Sequence, residues 1–299
     1  MKKKCFLAGV GGMLGEAFYF EFSKDYELYC TDKDVNEKWL HYLNFCEKDI
    51  YKSEVIKFNP DYLFHIGAFT DLEYCETHKD ETIKTNTDSV ISAVEISNEL
   101  KIPLLYISTA GIFDGKKDFY DETDIPKPIG VYASSKYEAE KYVIKNCKKY
   151  LICRAGWMMG GGPKKDKKFI QKIIRQIKDG KKELFIVDDK FGTPTYTYDF
   201  AKNTEALIDT NNFGLFNMVC EGNTSRLAVA EEILKILNLT DEIKVNKVKS
   251  DYFKKTFFAE RPNSENLINK KLNQKGLNLM RPWQETLREY INTSYIKYL

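Results

Sequence analysis

The stretch Cys5-Phe6-Leu7-Ala8-Gly9-Val10-Gly11-Gly12-Met13-Leu14-Gly15 runs from four apolar residues into a glycine-rich turn, and Met13 to Ser23 then continues as a helical segment. A short apolar run bounded by glycine reads as a buried strand. Strand, glycine turn and helix in that order make a phosphate cradle. The glycines permit a sharp turn and let the backbone come close to a pyrophosphate at the helix N-terminus. Gly9, Gly12 and Gly15 are spaced by three, and Gly9-x-Gly11 also satisfies part of the Gly-x-Gly-x-x-Gly pattern. Met13 and Leu14 open the helix beside them and join the candidate cofactor contacts.

Outward from this turn, strands and helices alternate. Glu27 to Cys30 reads as a second strand that ends in Thr31-Asp32. Asp61 to Ile66 and Ile102 to Ile107 read as further buried strands, Glu81 to Leu100 as a long helix between them, and Tyr150 to Arg154 as another strand. Such alternation predicts an α/β fold, a Rossmann-type doubly wound parallel sheet with helices on both faces. Gly156 to Pro163 is too glycine-rich for regular structure. Beyond it come a helix near Asp166 to Lys178, a strand near Leu184 to Val187, a helix at Tyr198 to Asp209 and a strand at Leu215 to Met218. Ser225 reads as an N-cap, and a last helix follows Arg281-Pro282-Trp283. These later pieces do not extend the sheet in a simple way. The expected organisation is a dinucleotide-binding domain over residues 1–160 with some later segments, and a smaller, discontinuous substrate-binding lobe over 161–299.

Asp32 lies about twenty residues past the glycines. A carboxylate there accepts hydrogen bonds from adenosine ribose hydroxyls and repels a 2′-phosphate, which favours NADH. Lys33 follows directly and leaves NADPH open. Tyr132-Ala133-Ser134-Ser135-Lys136 places a phenol and an amine four apart, on one face of a helix expected over Val131 to Cys147. An ammonium beside a phenol favours its ionised form, so Tyr132 is expected to exchange a proton near neutral pH. Thr109 ends the strand before it and can bind a carbonyl oxygen. Alternation puts its neighbour Ser108 on the opposite face.

Composition bounds the remaining choices. The 299 residues are 43% hydrophobic and 30% charged, with a net charge of only +2, so charge gives no argument for nucleic acid. Lys2-Lys3-Lys4 reads as a solvated flank, and the cluster Lys164, Lys165, Lys167 and Lys168 as a solvated loop. Seven cysteines without a Cys-x-x-Cys pair point to a reducing cytoplasm. The three histidines lack metal-ligand spacing, so no metal is assigned, and His65 reads as a plain strand residue. The apolar run after the N-terminal lysines is too short for a signal peptide, and no segment approaches a membrane span.

With these residues in view, the chain resembles the extended short-chain dehydrogenase/reductase family, and within it the dTDP-4-dehydrorhamnose reductases. The resembling segments are Gly67-Ala68-Phe69-Thr70-Asp71, Ser108-Thr109-Ala110-Gly111-Ile112-Phe113, Tyr132 to Lys136, Arg154-Ala155-Gly156-Trp157, Phe191-Gly192-Thr193-Pro194-Thr195 and Arg261-Pro262-Asn263-Ser264. The resemblance implies an NADH- or NADPH-dependent reductase of a nucleotide-activated 4-keto-6-deoxy sugar. Tyr132 would donate the proton, Lys136 would lower its pKa and hold the nicotinamide ribose, and Thr109 would polarise the carbonyl. Asp49, Gly67, Ala68 and Thr70 join the cofactor set. Asp71, Trp157, Phe191 and Arg261 join Thr109 on the substrate side, with Trp157 against the sugar and Arg261 on the diphosphate. A homodimer is compatible with this class.

Two departures fall near the sugar. The family's Asp-Tyr after the threonine is Ala110-Gly111 here, and its Thr-Ser before the tryptophan is Ala155-Gly156. They leave the sugar and the base open. The competing readings are an epimerase or dehydratase of the same superfamily, and a non-catalytic subunit like the regulatory subunit of methionine adenosyltransferase.

Overall fold

The computed structural model describes residues 2–299. Chain order in the first half is β1 (Lys3–Ala8), α1 (Met13–Phe22), β2 (Tyr26–Asp32), β3 (Leu40–Tyr42), α2 (Lys48–Phe58), β4 (Tyr62–His65), α3 (Leu72–Thr77), α4 (Lys79–Ile83) and α5 (Ser89–Leu100). It continues with β5 (Leu104–Thr109), α6 (Gly130–Asn146) and β6 (Tyr150–Ala155). In the second half follow β7 (Trp157–Met159), α7 (Gly162–Lys165), α8 (Phe169–Lys178), β8 (Glu183–Val187), β9 (Phe191–Gly192), β10 (Pro194–Tyr196), α9 (Thr197–Asp209) and β11 (Gly214–Asn217). The chain closes with β12 (Thr224–Ser225), α10 (Arg226–Ile236), β13 (Lys244–Val248), β14 (Ser264–Glu265), α11 (Lys270–Lys275) and α12 (Trp283–Ser294).

The main sheet has seven strands in the order β11-β6-β5-β4-β1-β2-β3, and every pairing in it is parallel. The chain builds outward from β1 to β3, then returns to place β4 on the other side of β1. That reversal opens a crevice beyond the strand ends, where ligands of such sheets bind. Strand alternation divides the core. Cys5, Leu7 and Phe64 face one layer with Phe18 and Phe200, while Phe6, Ala8 and Leu63 face the other with Val55, Val94 and Val143.

Three expectations are corrected here. Residues 197–217 do extend the sheet: α9 packs beside α1, and β11 pairs with β6 as its outer neighbour. A crossover through α9 makes this possible once the chain has left and returned. The glycine-rich segment is also partly regular, since Trp157–Met159 pairs in parallel with Pro194–Tyr196. The long helix before β5 is interrupted by a π-helical turn over Lys84–Asp88. Outside the main sheet, β8 pairs with β13, and β9 is flanked by β12 and β14.

Candidate active site

The glycine turn is the fixed end of a cleft of about 790 Å³. Gly9 has φ +79°, and a Cβ there would lie 2.3 Å from Gly67 Cα, so β1 and β4 deliver their two loops into contact. At Gly15 a Cβ would stand 1.7 Å from the Val10 carbonyl oxygen, which fixes the angle at which α1 leaves the turn. Around Gly12 the space is open, and α1 has no side-chain cap on its first N–H groups. Uncapped helix donors facing a cleft accept an anion. Asp32 stands at the cleft edge, one carboxylate oxygen accepting from Gly11 N at 2.8 Å and the other from Asp34 N at 2.9 Å. Each oxygen keeps a lone pair for a ribose hydroxyl. These residues fit a dinucleotide. Met13, Leu14, Gly67, Ala68 and Thr70 line the same cleft. Thr70 is exposed, and Lys168 Nζ donates to its carbonyl and hydroxyl oxygens at 2.7 and 3.0 Å.

Asp49 does not line this cleft. It is exposed in the first turn of α2, beside Lys52 and Ser53, because that helix turns Tyr51 and Val55 inward instead. Phe45 and Cys46, just before it, are the residues that reach the cleft.

Thr109, Tyr132 and Lys136 all line the cleft, with the Thr109 hydroxyl beside the Tyr132 phenol. The helix α6 that carries two of them is pinned from several sides. Arg154 on β6 grips Glu140 with a buried pair of bonds at 3.1 and 2.5 Å. Glu76 caps the N-terminus of α6 by accepting from Val131 N at 2.7 Å, where a carboxylate suits the helix dipole. Asn86, inside the π-helical turn, bonds both Phe69 backbone groups and the Ser135 hydroxyl, and so ties the 67–70 loop to α6. Sequence reasoning missed Asn86; a polar residue inside an amphipathic helix was the one signal available.

The electrostatics differ from expectation. Burial pushes the Tyr132 phenol up to about 12, with the Thr109 hydroxyl pulling the other way. Burial pulls Lys136 down to about 7, opposed by Glu140. Burial of the phenol thus works against the lowering expected from Lys136, whose own charged form burial disfavours. The Lys136 amine lies 4.3 Å from the centre of the Tyr106 ring, and desolvation outweighs the helical proximity of the pair. Thr109 Oγ1 accepts from Gly111 N at 3.1 Å. Ser108 also lines the cleft, buried, with a hydroxyl that has no partner among the described residues. The cleft lies beyond the strand end rather than over one face, so alternation does not exclude it.

On the substrate side, Trp157 lines the cleft, its indole N–H donating to Glu265 Oε2 at 2.7 Å. Asp71 lines it as the N-cap of α3, accepting from Tyr74 N at 3.0 Å. Arg261 lines it with its guanidinium held by Glu73 at 2.8 and 2.9 Å. Phe191 does not line it. Its side chain is 45% exposed, because two-residue alternation in β9 turns Gly192, not Phe191, under the Trp157 ring. The lysine cluster is corrected in part: Lys164, Lys165, Lys167 and Lys168 all line the cleft, Lys165 buried and Lys168 half-buried, while Lys164 and Lys167 stay exposed to solvent. Lys164 and Lys165 reach Glu37 at 2.8 and 3.2 Å across its rim, and burial lowers the pKa of Lys168. Ala110 and Gly111 are buried, and the Glu265 carboxylate occupies the space beside Gly111, 3.3 Å from where a Cβ would stand.

A parallel sheet with a glycine cradle at its switch point, and a threonine, a tyrosine and a lysine beside it, define a dinucleotide-dependent enzyme of the short-chain dehydrogenase/reductase type. Within that class the chain belongs to the family described as the RmlD substrate binding domain, which it matches over residues 3–296. It is 28% identical over 243 residues to a dTDP-4-dehydrorhamnose reductase of Escherichia coli (strain K12), covering 78% of this chain and 79% of the relative. A second relative, the methionine adenosyltransferase 2 subunit beta of Danio rerio, is 24% identical over 244 residues, covering 79% of this chain and 75% of that one. Among solved structures, the dTDP-4-dehydrorhamnose reductase of Bacillus anthracis str. Ames in complex with NADP superposes with a TM-score of 0.89 at 27% identity, covering 98% of this chain and all (100%) of that one.

Proposed function

We infer that this chain is an NAD(P)H-dependent reductase of a nucleotide-activated 4-keto-6-deoxy sugar, of the dTDP-4-dehydrorhamnose reductase kind. The observation that carries this reading is the Tyr132 phenol beside the Thr109 hydroxyl, in the cleft that begins at the Gly9–Gly15 turn. When bound, NAD(P)H supplies the hydride for the carbonyl carbon. The turn backbone and the start of α1 hold the pyrophosphate, Asp32 the adenosine ribose, and Lys136 the nicotinamide ribose. Thr109 donates a hydrogen bond to the carbonyl oxygen. Tyr132 gives that oxygen its proton, completing the alcohol. A phenol pushed up to about 12 is fully protonated at neutral pH, which suits a donor in the reductive direction. Lys136, near 7, returns a proton to the phenolate left behind. Trp157 borders the sugar with the edge of its ring, since Gly192 lies under the ring and the Arg226 guanidinium stacks on it, and the lobe after residue 160 closes the substrate side.

Among the described residues no helix is long and apolar enough to cross a membrane, and the seven thiols are unpaired. The unpaired thiols suit the reducing cytoplasm that this reading assigns to the enzyme.

The test is a spectrophotometric assay of NADH and NADPH with dTDP-4-keto-6-deoxy sugars. Stoichiometric oxidation of the coenzyme is expected. A second reading has support in the Danio rerio relative: a chain that binds NADPH, turns over no keto sugar and captures a methionine adenosyltransferase would be a regulatory subunit instead.

A further inference from the structure

The two arginines on the substrate wall are in opposite states. Arg261 is satisfied: Glu73 takes two of its guanidinium nitrogens, and the Ala259 carbonyl takes a further bond at 2.8 Å. Arg226, the first residue of α10, makes no side-chain hydrogen bond and no ion pair among the described residues, although it lines the cleft. Its guanidinium lies 3.6 Å from the centre of the Trp157 ring and 4.9 Å from that of Phe169. Stacking uses the face of a guanidinium and leaves its in-plane N–H groups free. Those groups form the fork that matches two phosphate oxygens.

The charges nearby point the same way. Glu265 is the carboxylate that attracts Arg226, but one of its oxygens already accepts from the Trp157 indole. Lys168 and Arg261 are close enough to repel Arg226, and Lys168 itself donates to neutral Thr70 oxygens. A desolvated cluster of cations with an unused fork is relieved by an anion.

We propose that Arg226, stacked on Trp157, is the residue that binds the diphosphate of the nucleotide-activated substrate, with Arg261 held back in its pair with Glu73. This rests on the reductase reading for the identity of the sugar, but its chemistry concerns the nucleoside diphosphate alone. Phe169 and Trp157 set the plane of the fork. The diphosphate then lies beside the ring whose edge borders the sugar. Arg226 belongs to a segment that carries no phosphate motif, since its role depends on β7 and α8 bringing two aromatic rings to it.

The experiment is isothermal titration of the full-length protein with dTDP, UDP and GDP, none of which carries a reducible sugar. The wild type is expected to bind at least one of them. R226A and R226Q are each expected to weaken that binding about tenfold or more, the cost of removing one partner of a desolvated charged contact, and by more than R261A does. A rise in melting temperature with NADPH establishes that each variant is folded. Wild-type affinity in folded R226A or R226Q overturns the proposal, as does failure of the wild type to bind all three diphosphates. A wild type that binds dTDP through Arg226 but reduces no keto sugar removes the reductase reading and leaves this one standing.

Discussion

The cofactor end of the cleft and its substrate end are built in different ways. At the cofactor end, backbone does the work. Two loops leave adjacent parallel strands, touch at Gly9 and Gly67, and present the uncapped start of α1. At the substrate end, side chains from β7, α10, β14 and the 260–262 segment meet one another. Trp157 leans on Arg226 and donates to Glu265, and Arg261 pairs with Glu73 from α3. A backbone cradle tolerates side-chain change but not a Cβ in the wrong place. A side-chain wall tolerates backbone drift but depends on each partner. The first kind of site recurs across doubly wound sheets that bind dinucleotides, while the second can be retuned residue by residue.

Substitutions separate the two ends. Y132F, where they meet, is expected to lower kcat by about 10²–10⁴-fold, the usual worth of a positioned proton donor, while NADPH still raises the melting temperature. A variant with near-normal turnover would remove Tyr132 as the donor. Within the cradle, G15A is expected to destabilise the fold by about 2–4 kcal/mol in denaturant melts, because its methyl would overlap the Val10 carbonyl. G12A, with open space around it, is expected to change stability by less than about 0.5 kcal/mol and to weaken NADPH binding instead. If the two glycines behaved alike, the distinction between scaffold and cradle would fail.

The sheet end has its own sensitivity to acid. His65 is buried between the Tyr51 hydroxyl at 3.1 Å and the Ser89 hydroxyl at 3.0 Å. Burial, with a smaller push from Lys136, lowers its pKa from 6.5 to about 3. Between those values the unfolded chain binds the extra proton and the folded chain does not. Stability from this residue is therefore complete above pH 6.5 and is lost as pH falls toward 3. Melting curves across that range should show the decline, and H65Q should flatten it. The smallest effect is expected at the rim. D32A should raise kcat/KM for NADPH relative to NADH by several-fold, since it removes a carboxylate next to the ribose position. An unchanged ratio would take Asp32 out of coenzyme selection.

This contrast also explains what could be read in the sequence. The sheet, the glycine turn, Asp32 and the trio Thr109, Tyr132 and Lys136 were legible because each rests on local spacing: two residues per strand repeat, four per helical turn, three between glycines. Arg226 and Glu265 were not, because their roles are created by contacts with Trp157, which lies far away in the chain. Asp49 and Phe191 were misplaced for a related reason. A match in sequence fixes a neighbourhood, while the direction of a side chain depends on its phase in a helix or strand, and α2 and β9 turn these two outward. The lysines of 164–168 looked solvated because nothing local revealed that α7 carries Lys164 and Lys165 over the cleft rim toward Glu37, or that Lys168 reaches Thr70. The upward push of burial on Tyr132 was not legible, because proximity on a helix is visible in sequence and desolvation is not.

The reductive role of the cleft has one direct test. The enzyme is supplied with NADPH or NADH carrying deuterium on each face of nicotinamide C4 in turn, together with a dTDP-4-keto-6-deoxy sugar, and the product is analysed by mass spectrometry and NMR. One deuterium at C4 of the sugar, from one face only and with one coenzyme oxidised per product, is expected. Product that forms without deuterium while the coenzyme stays unconsumed would contradict a reductase and identify an enzyme that returns its hydride.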